Sequence, residues 1–213
     1  MDFAGWGEIL IQIAMKPLLI LLLPFLSCFG AEDWRTHNKR ADELLLRDHK
    51  IAEAIKEFDA AMMLEPRLGP QYWQRGIALY YAGRFDDCRK QFELHQTVNP
   101  SDVENAVWHY LCVSKQSSPA EARRIMIPIP QDDRVPMMQV DAMFRGTGTV
   151  EDMLKAANSP DSLFYANLYA GLYYEAQGDA KKSLKYIDLA ANKYFVNHYM
   201  GMVAKLHYKL RRK

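Results

Sequence analysis

Residues 69–102 read GPQYWQRGIALYYAGRFDDCRKQFELHQTVNPSD, and this stretch decides the fold. Its proline, Pro100, lies 34 residues after Pro66. Each proline follows a Phe by eight positions, and that Phe follows a small residue by four positions. The small residue and the Phe are Ala54 and Phe58 in the first block, and Cys88 and Phe92 in the second. A period of this length predicts a repeated helical hairpin.

The pattern matches the second helix of a tetratricopeptide repeat (TPR), which ends at its proline. In residues 69–102 the first helix carries Gly76 and Leu79 where the repeat places its small and large interface residues, and Gly83 ends that helix. The same features recur around Gly171 and Gly178. The predicted complete units are 35–68, 69–102 and 164–197.

The rest of the chain departs from the repeat. Residues 103–163 form a degenerate unit that begins with a predicted helix over 103–115, and five of the ten prolines fall between 119 and 160. Short helices are expected there at 119–126, 132–144 and 149–157, and a capping helix within 198–213. Strand patterns are absent from the sequence. The predicted fold is therefore all-α, a TPR-type right-handed α-solenoid over residues 31–213, with an irregular middle section and a C-terminal capping helix.

Residues 1–30 have the features of a signal peptide. From Met15 the chain shows a short basic segment with Lys16, an apolar stretch over 18–26, and small residues before Ala31. The apolar stretch is shorter than the roughly 20 residues of a membrane-spanning helix. We expect translation to start at Met15 and cleavage to follow Gly30. Uncleaved anchoring is one alternative. Lipidation of Cys28 is another, although the residues before it fit a lipoprotein signal imperfectly.

Composition excludes several classes of protein. The 213 residues carry a net charge of +1, which argues against a nucleic-acid binder driven by bulk charge. The sequence contains no phosphate-binding glycine loop and no catalytic motif, so we expect neither a catalytic residue nor a cofactor. His109 and Cys112 are the nearest pair with ligand spacing, and two ligands do not make a zinc site. No metal site is predicted.

Cys88 and Cys112 are the two cysteines that remain after cleavage at the predicted site. They lie on helices that stack on each other in a TPR arrangement. Export would place them in an oxidising compartment, where a disulfide between them would persist. Cysteine is also a good small core residue, so both readings stay open.

A TPR stack binds ligands on the face lined by its first helices. The side chains predicted to line this groove are Lys39, Glu43, Trp73, Ile77, Tyr80 and Tyr81, and Tyr165 takes an equivalent place in the last unit. Trp and Tyr are common binding hot spots. The alternative is that the degenerate middle section folds over this face and makes the aromatic residues part of the core.

The segments RGIALYYAGRFDD (75–87), NPSD (99–102) and FYANLYAGLYYEAQGD (164–179) resemble the NlpI-type TPR lipoproteins of bacterial envelopes and uncharacterised TPR proteins of plant plastids. The resemblance implies a non-enzymatic scaffold, since NlpI-type proteins dock envelope proteases and peptidoglycan hydrolases. We therefore expect an exported scaffold, periplasmic or extracellular, that binds a partner protein or peptide. The alternatives are a lipid-anchored envelope assembly factor, and an enzyme or metal protein with its site in residues 116–163.

Overall fold

The computed structural model of the protein describes residues 33–212, and every regular element within this range is helical. The predicted signal peptide, start site and lipidation site at Cys28 lie outside the described residues. The α-helices of the described range are α1 (Trp34–Leu46), α2 (Ile51–Leu64), α3 (Trp73–Tyr81), α4 (Phe85–His95), α5 (Val103–Gln116), α6 (Pro119–Arg124), α7 (Met137–Arg145), α8 (Val150–Ala156), α9 (Pro160–Ala176), α10 (Ala180–Asp188) and α11 (Tyr199–Arg211). The all-α prediction is confirmed for this range, and none of its helices is long and apolar enough to cross a membrane.

Helices adjacent in the chain pack against each other in pairs, α1 with α2, α3 with α4, and α9 with α10. Each pair turns through a residue with positive φ: His49 at 58°, Gly83 at 73° and Gly178 at 82°. These residues occupy the same position within the units 35–68, 69–102 and 164–197. Glycine readily adopts a positive φ, whereas other residues seldom do. The positive φ of His49 therefore shows that the first turn has the same backbone geometry as the two glycine turns.

Two glycines allow the paired helices to approach closely. A Cβ atom added to Gly76 would lie 2.7 Å from the ring of Phe92, and one added to Gly171 would lie 2.6 Å from Ile187. In both pairs the partner follows the glycine by the same number of residues. The two glycines therefore allow close packing of the paired helices at equivalent positions.

The middle section keeps most of its predicted helices, with one large shift. Helix α7 begins at Met137, whereas the sequence predicts a start at 132. Pro136 explains the difference, because a proline restricts the residue before it to extended conformations. Asp132 lies outside α7, and its Oδ2 accepts a hydrogen bond from the backbone N–H of Val103 at 3.1 Å, at the start of α5.

Helix α11 does more than cover the end of the helical array. The ring of Tyr199 packs edge-to-face on Trp73 of α3, with ring centroids 4.7 Å apart. Near the other end of α11, Nδ1 of His207 lies 3.1 Å from the hydroxyl of Tyr81. Helix α11 also contacts α1. It therefore extends across the face of α3 that the sequence assigns to a binding groove.

Glu175 at the end of α9 holds α11 in this place. Its carboxylate lies 2.6 Å from Nε2 of His207 and 3.0 Å from Nη2 of Arg211, with Nζ of Lys115 also at 3.0 Å. Tyr80 donates a hydrogen bond to the same carboxylate at 3.0 Å. Burial alone would raise the pKa of Glu175, but hydrogen bonds and charge from His207 and Arg211 lower it far below its ordinary value. The carboxylate is therefore a compensated buried charge that joins four helices.

Cys88 on α4 and Cys112 on α5 form a disulfide, with their Cα atoms 5.9 Å apart. Both residues are fully buried. The sequence leaves open whether these cysteines are bonded or are simply small core residues, and the structure contains the disulfide. The bond links the second unit to the first helix of the degenerate section.

Candidate functional site

The predicted groove residues fall into different environments. Lys39 and Glu43 on α1 are exposed. Ile77 and Tyr80 on α3 are buried in the core, with 0% and 2% of their surface exposed. The expectation of an open groove is wrong at these two positions, because neighbouring helices cover them. Trp73 is half-buried and remains within reach of a ligand.

The cover over α3 comes from two directions. Trp108 of α5 packs edge-to-face on Tyr80, with centroids 5.5 Å apart. From the other side, α11 covers Tyr81 with His207, whose ring centroid lies 5.8 Å from that of the tyrosine. The sequence alternative, that the aromatic residues become core, holds for Tyr80. The covering elements are α5 and α11 rather than the middle section as a whole.

A cavity of about 300 Å³ remains where α3, α4, α5 and α9 meet the start of α11. This volume lies at the lower end of the range for ligand pockets. Five aromatic side chains line the cavity, and we call them the aromatic wall: Trp73, Phe92, Trp108, Tyr165 and Tyr199. Arg134 and His198 are exposed members of the lining, so solvent reaches the cavity on their side.

The cavity is also lined by two acidic side chains. Asp102 caps α5, with its side chain accepting a hydrogen bond from the N–H of Glu104. Both carboxylates line the cavity and both bind Arg134, which donates to Asp102 at 2.6 Å and to Glu104 at 2.8 Å. Arg134 also donates to Asp132 at 2.6 Å. One guanidinium therefore serves three carboxylates, a group that we call the acidic cluster (Asp102, Glu104 and Asp132).

The members of the acidic cluster are not equally compensated. Burial and the neighbouring charge of Asp102 raise the pKa of Glu104 to about 7, although Tyr169 and Arg134 act in the opposite sense. For Asp132, burial would also raise the pKa, but hydrogen bonds from Arg134 and Val103 lower it below its ordinary value. Arg134 thus satisfies Asp132 well and leaves Glu104 with a costly negative charge.

Three further side chains of the lining have unpaired polar atoms, and one of these atoms is the hydroxyl of Tyr199. Asn105 and Trp108 are each 2% exposed. Oδ1 of Asn105 and Nε1 of Trp108 are buried and make no hydrogen bond within the protein. Buried polar atoms are satisfied in the great majority of cases, so unpaired atoms at one cavity call for an explanation.

The histidines of the cavity have defined surroundings. Nδ1 of His95 lies 2.8 Å from the carbonyl oxygen of Pro70, so this nitrogen carries a proton and donates. Burial lowers the pKa of His198, whose ring stacks on Tyr165 with centroids 5.8 Å apart. Among residues 33–212, no group of three or more His, Cys, Asp or Glu side chains is arranged to hold a metal ion.

The repeat pattern finds one side of this site and misses the other. Trp73 and Tyr165, both assigned to the inner face, line the cavity. Arg134 belongs to a segment without any repeat, and nothing in its local sequence indicates that it reaches α5. Asp102 shows a signal that could have been used, since an Asp directly before an apolar helical run is a common N-cap. No protein-family model matches the chain.

Proposed function

We propose that the protein is an exported TPR-type scaffold, a right-handed α-solenoid that binds a partner protein and catalyses no reaction. The observation that carries the proposal is the cavity on the face of α3. Trp73, the residue that the repeat pattern selects for binding, lines it together with four other aromatic side chains. Exposed or half-exposed aromatic residues around a concave site are typical of protein recognition.

The TPR assignment is supported by geometry at matching positions. The turns of three units share positive φ at His49, Gly83 and Gly178. The glycines of two units, Gly76 and Gly171, contact the second helix at the equivalent residue. Both features recur at the same spacing in the units 69–102 and 164–197, as a repeated hairpin would require.

The disulfide supports export. Cys88 and Cys112 are joined in the core, and disulfides persist mainly in oxidising compartments. Intact-mass analysis of the protein purified from the cells that produce it tests this part of the proposal. We expect a chain that begins at Ala31. A chain that retains Met1 would contradict export by cleavage, and a diacylated N-terminal Cys28 would favour the lipid-anchored alternative.

Partner binding is tested with Trp73→Ala and a matched control, Trp34→Ala. Trp34 is also half-buried, but it begins α1 and lies outside the cavity lining. The mature wild type and both variants are immobilised and used to capture proteins from an extract of the producing cells. Truncating a hot spot weakens binding by about 2 kcal/mol or more. We therefore expect Trp73→Ala to lose a reproducible partner that Trp34→Ala retains.

Thermal unfolding of the same variants distinguishes binding from folding. Trp73 packs on Tyr199, so some loss of stability is expected on truncation. The proposal requires that Trp73→Ala fail to capture the partner at a temperature at which this variant is still folded. A partner captured equally by all three proteins would place the binding surface elsewhere.

A further inference from the structure

We propose that the cavity binds an organic cation, an alkylammonium or a guanidinium group, between the aromatic wall and the carboxylates of Asp102 and Glu104. The inference deepens the proposed function by naming the chemistry that the same site recognises. It rests on that function only if the cation belongs to a side chain of the partner protein.

The charge of the site favours a cation. Arg134 contacts Asp102, Asp132 and Glu104, so three carboxylates share one guanidinium. Asp102 and Asp132 against Arg134 leave one excess negative charge, and Glu104 adds a second as pH rises above its pKa of about 7. The donors of Arg134 are directed at these carboxylates, which leaves little for an anionic ligand. Within the described lining, Arg134 is the one Lys or Arg side chain.

The aromatic wall favours the same class of ligand. The faces of Trp and Tyr rings carry partial negative charge and attract cations within about 6 Å of the ring centre. Trp73 and Tyr199 are held edge-to-face, and the ring of Tyr165 lies roughly parallel to the rings of Tyr169 and His198, with centroids 6.3 Å and 5.8 Å away. The rings are therefore preorganised, and a bound cation would not have to order them.

The unpaired oxygen of Asn105 is an independent indication. Nε2 of Gln96 donates to the carbonyl of Pro100 at 3.1 Å, which fixes Oε1 of Gln96 towards Asn105. Nδ2 of Asn105 donates to that Oε1 at 2.7 Å. The free atom of Asn105 is consequently Oδ1, an acceptor that requires an N–H or O–H donor. An ammonium or guanidinium group supplies such donors.

The unpaired nitrogen of Trp108 bears on the source of the cation. Nε1 of Trp108 is a donor and cannot bind a cation. It would suit a carbonyl oxygen, which a peptide carries next to a lysine or arginine side chain. A free amine offers no such acceptor, so the two sources differ in what they satisfy.

The test titrates the mature wild-type protein with three probes and follows binding by NMR. N-acetyl-lysine methylamide presents an ammonium on a peptide unit, n-butylammonium presents it alone, and N-acetyl-norleucine methylamide is the neutral counterpart. We expect saturable shifts of the indole signals of Trp73 and Trp108 with the ammonium probes. A desolvated cation–aromatic contact should make the lysine probe bind at least about tenfold more tightly than the norleucine probe. Tighter binding of the lysine probe than of n-butylammonium indicates a peptide source, and equal binding indicates a free amine.

Glu104→Gln supplies the charge test, with Glu53→Gln as the matched control on the exposed face of α2. We expect about tenfold weaker binding of the ammonium probes to Glu104→Gln and unchanged binding to Glu53→Gln. If the glutamine variant does not fold, Tyr199→Leu replaces it, because loss of that ring should also weaken cation binding. The proposal is overturned if the norleucine probe binds as well as the lysine probe, or if no ammonium probe saturates below about 20 mM.

The two proposals fail in different ways. If partner capture depends on Trp73 but no ammonium probe binds, the scaffold function is supported and the cation site is overturned. Binding of n-butylammonium that weakens in Glu104→Gln, without any captured partner, would support the cation site and contradict the scaffold function.

Discussion

Replacing Glu104 by glutamine should stabilise the protein, and the gain should grow with pH. The side chain of Glu104 is 13% exposed and shares Arg134 with two other carboxylates. Burial and the charge of Asp102 raise the pKa of Glu104 from 4.5 to about 7 in the folded protein. Glutamine has nearly the same shape and represents the protonated, uncharged form.

The sign and size of the effect follow from linkage. Because the folded pKa of this acid is raised, the folded state binds a proton more tightly than the unfolded state between about pH 4.5 and 7. Stability is therefore lost as pH rises through that window, and the full loss is present above it. The difference between the two pKa values corresponds to about 3 kcal/mol. Asp132, whose folded pKa is lowered, contributes in the opposite sense and only as pH falls into the acidic range.

Urea unfolding of wild type and Glu104→Gln at pH 5, 6, 7 and 8 measures the effect. We expect the free energy of unfolding of the variant to exceed that of wild type by a small amount at pH 5 and by up to about 3 kcal/mol at pH 8. Glu53→Gln, which removes an exposed carboxylate paired with Lys50, should show no comparable trend because water screens that pair. Parallel pH profiles for Glu104→Gln and wild type would refute the account of the acidic cluster.

Three further predictions concern the packing of the helices. Gly171→Ala should lower the melting temperature, because its Cβ would meet Ile187 at 2.6 Å, and overpacking of about 1–3 kcal/mol exceeds the gain in helix propensity of about 1 kcal/mol. Ile187→Ala removes the clash but also a buried side chain, so in thermal melts the loss in the double variant should be smaller than the sum of the two single losses. The double variant Cys88→Ser with Cys112→Ser opens a loop with a sequence separation of 24, so its free energy of unfolding should be lower by about 3 kcal/mol. In the wild type, thiol titration should detect neither cysteine before reduction. Glu175→Gln leaves Lys115 and Arg211 without their carboxylate, and should destabilise the protein by about 2–4 kcal/mol and accelerate hydrogen exchange in α11.

The sequence predicts the local hairpins well because their determinants are local. The spacing between Gly76 and Phe92, or between Gly171 and Ile187, lies within one unit, and each glycine contacts the predicted second helix. The turn at Gly83 is equally local. A period of 34 residues makes these contacts visible without any knowledge of the remaining chain.

The placement of α11 could not be predicted in the same way. Its apolar pattern indicates a capping helix, but the pattern does not say which surface the helix covers. That choice depends on contacts such as His207 with Glu175 and Tyr199 with Trp73. These residues are far apart in the sequence and belong to no common motif. The burial of Ile77 and Tyr80 follows from packing between helices, so it was hidden for the same reason.

The acidic side of the cavity shows a further limit of sequence reasoning. Arg134 comes from the proline-rich stretch before α7, and it reaches Glu104 across 30 positions of sequence. Neither residue stands out alone, since charged residues are common at helix starts and in loops. Their significance appears only when one guanidinium is found among three carboxylates.

Two buried carboxylates have pKa values that are shifted in opposite directions, and their surroundings explain the difference. Glu175 accepts a hydrogen bond from Tyr80 and faces three basic side chains, and its pKa is lowered. Glu104 accepts a hydrogen bond from Tyr169 and shares its one guanidinium with other acids, and its pKa is raised. The first arrangement stabilises the fold by fastening α11 over α3. The second destabilises the unliganded protein and would be relieved by a positive charge in the cavity. Glu104 lines the cavity together with five aromatic side chains, so its unfavourable charge in the free protein agrees with the cation site that we propose.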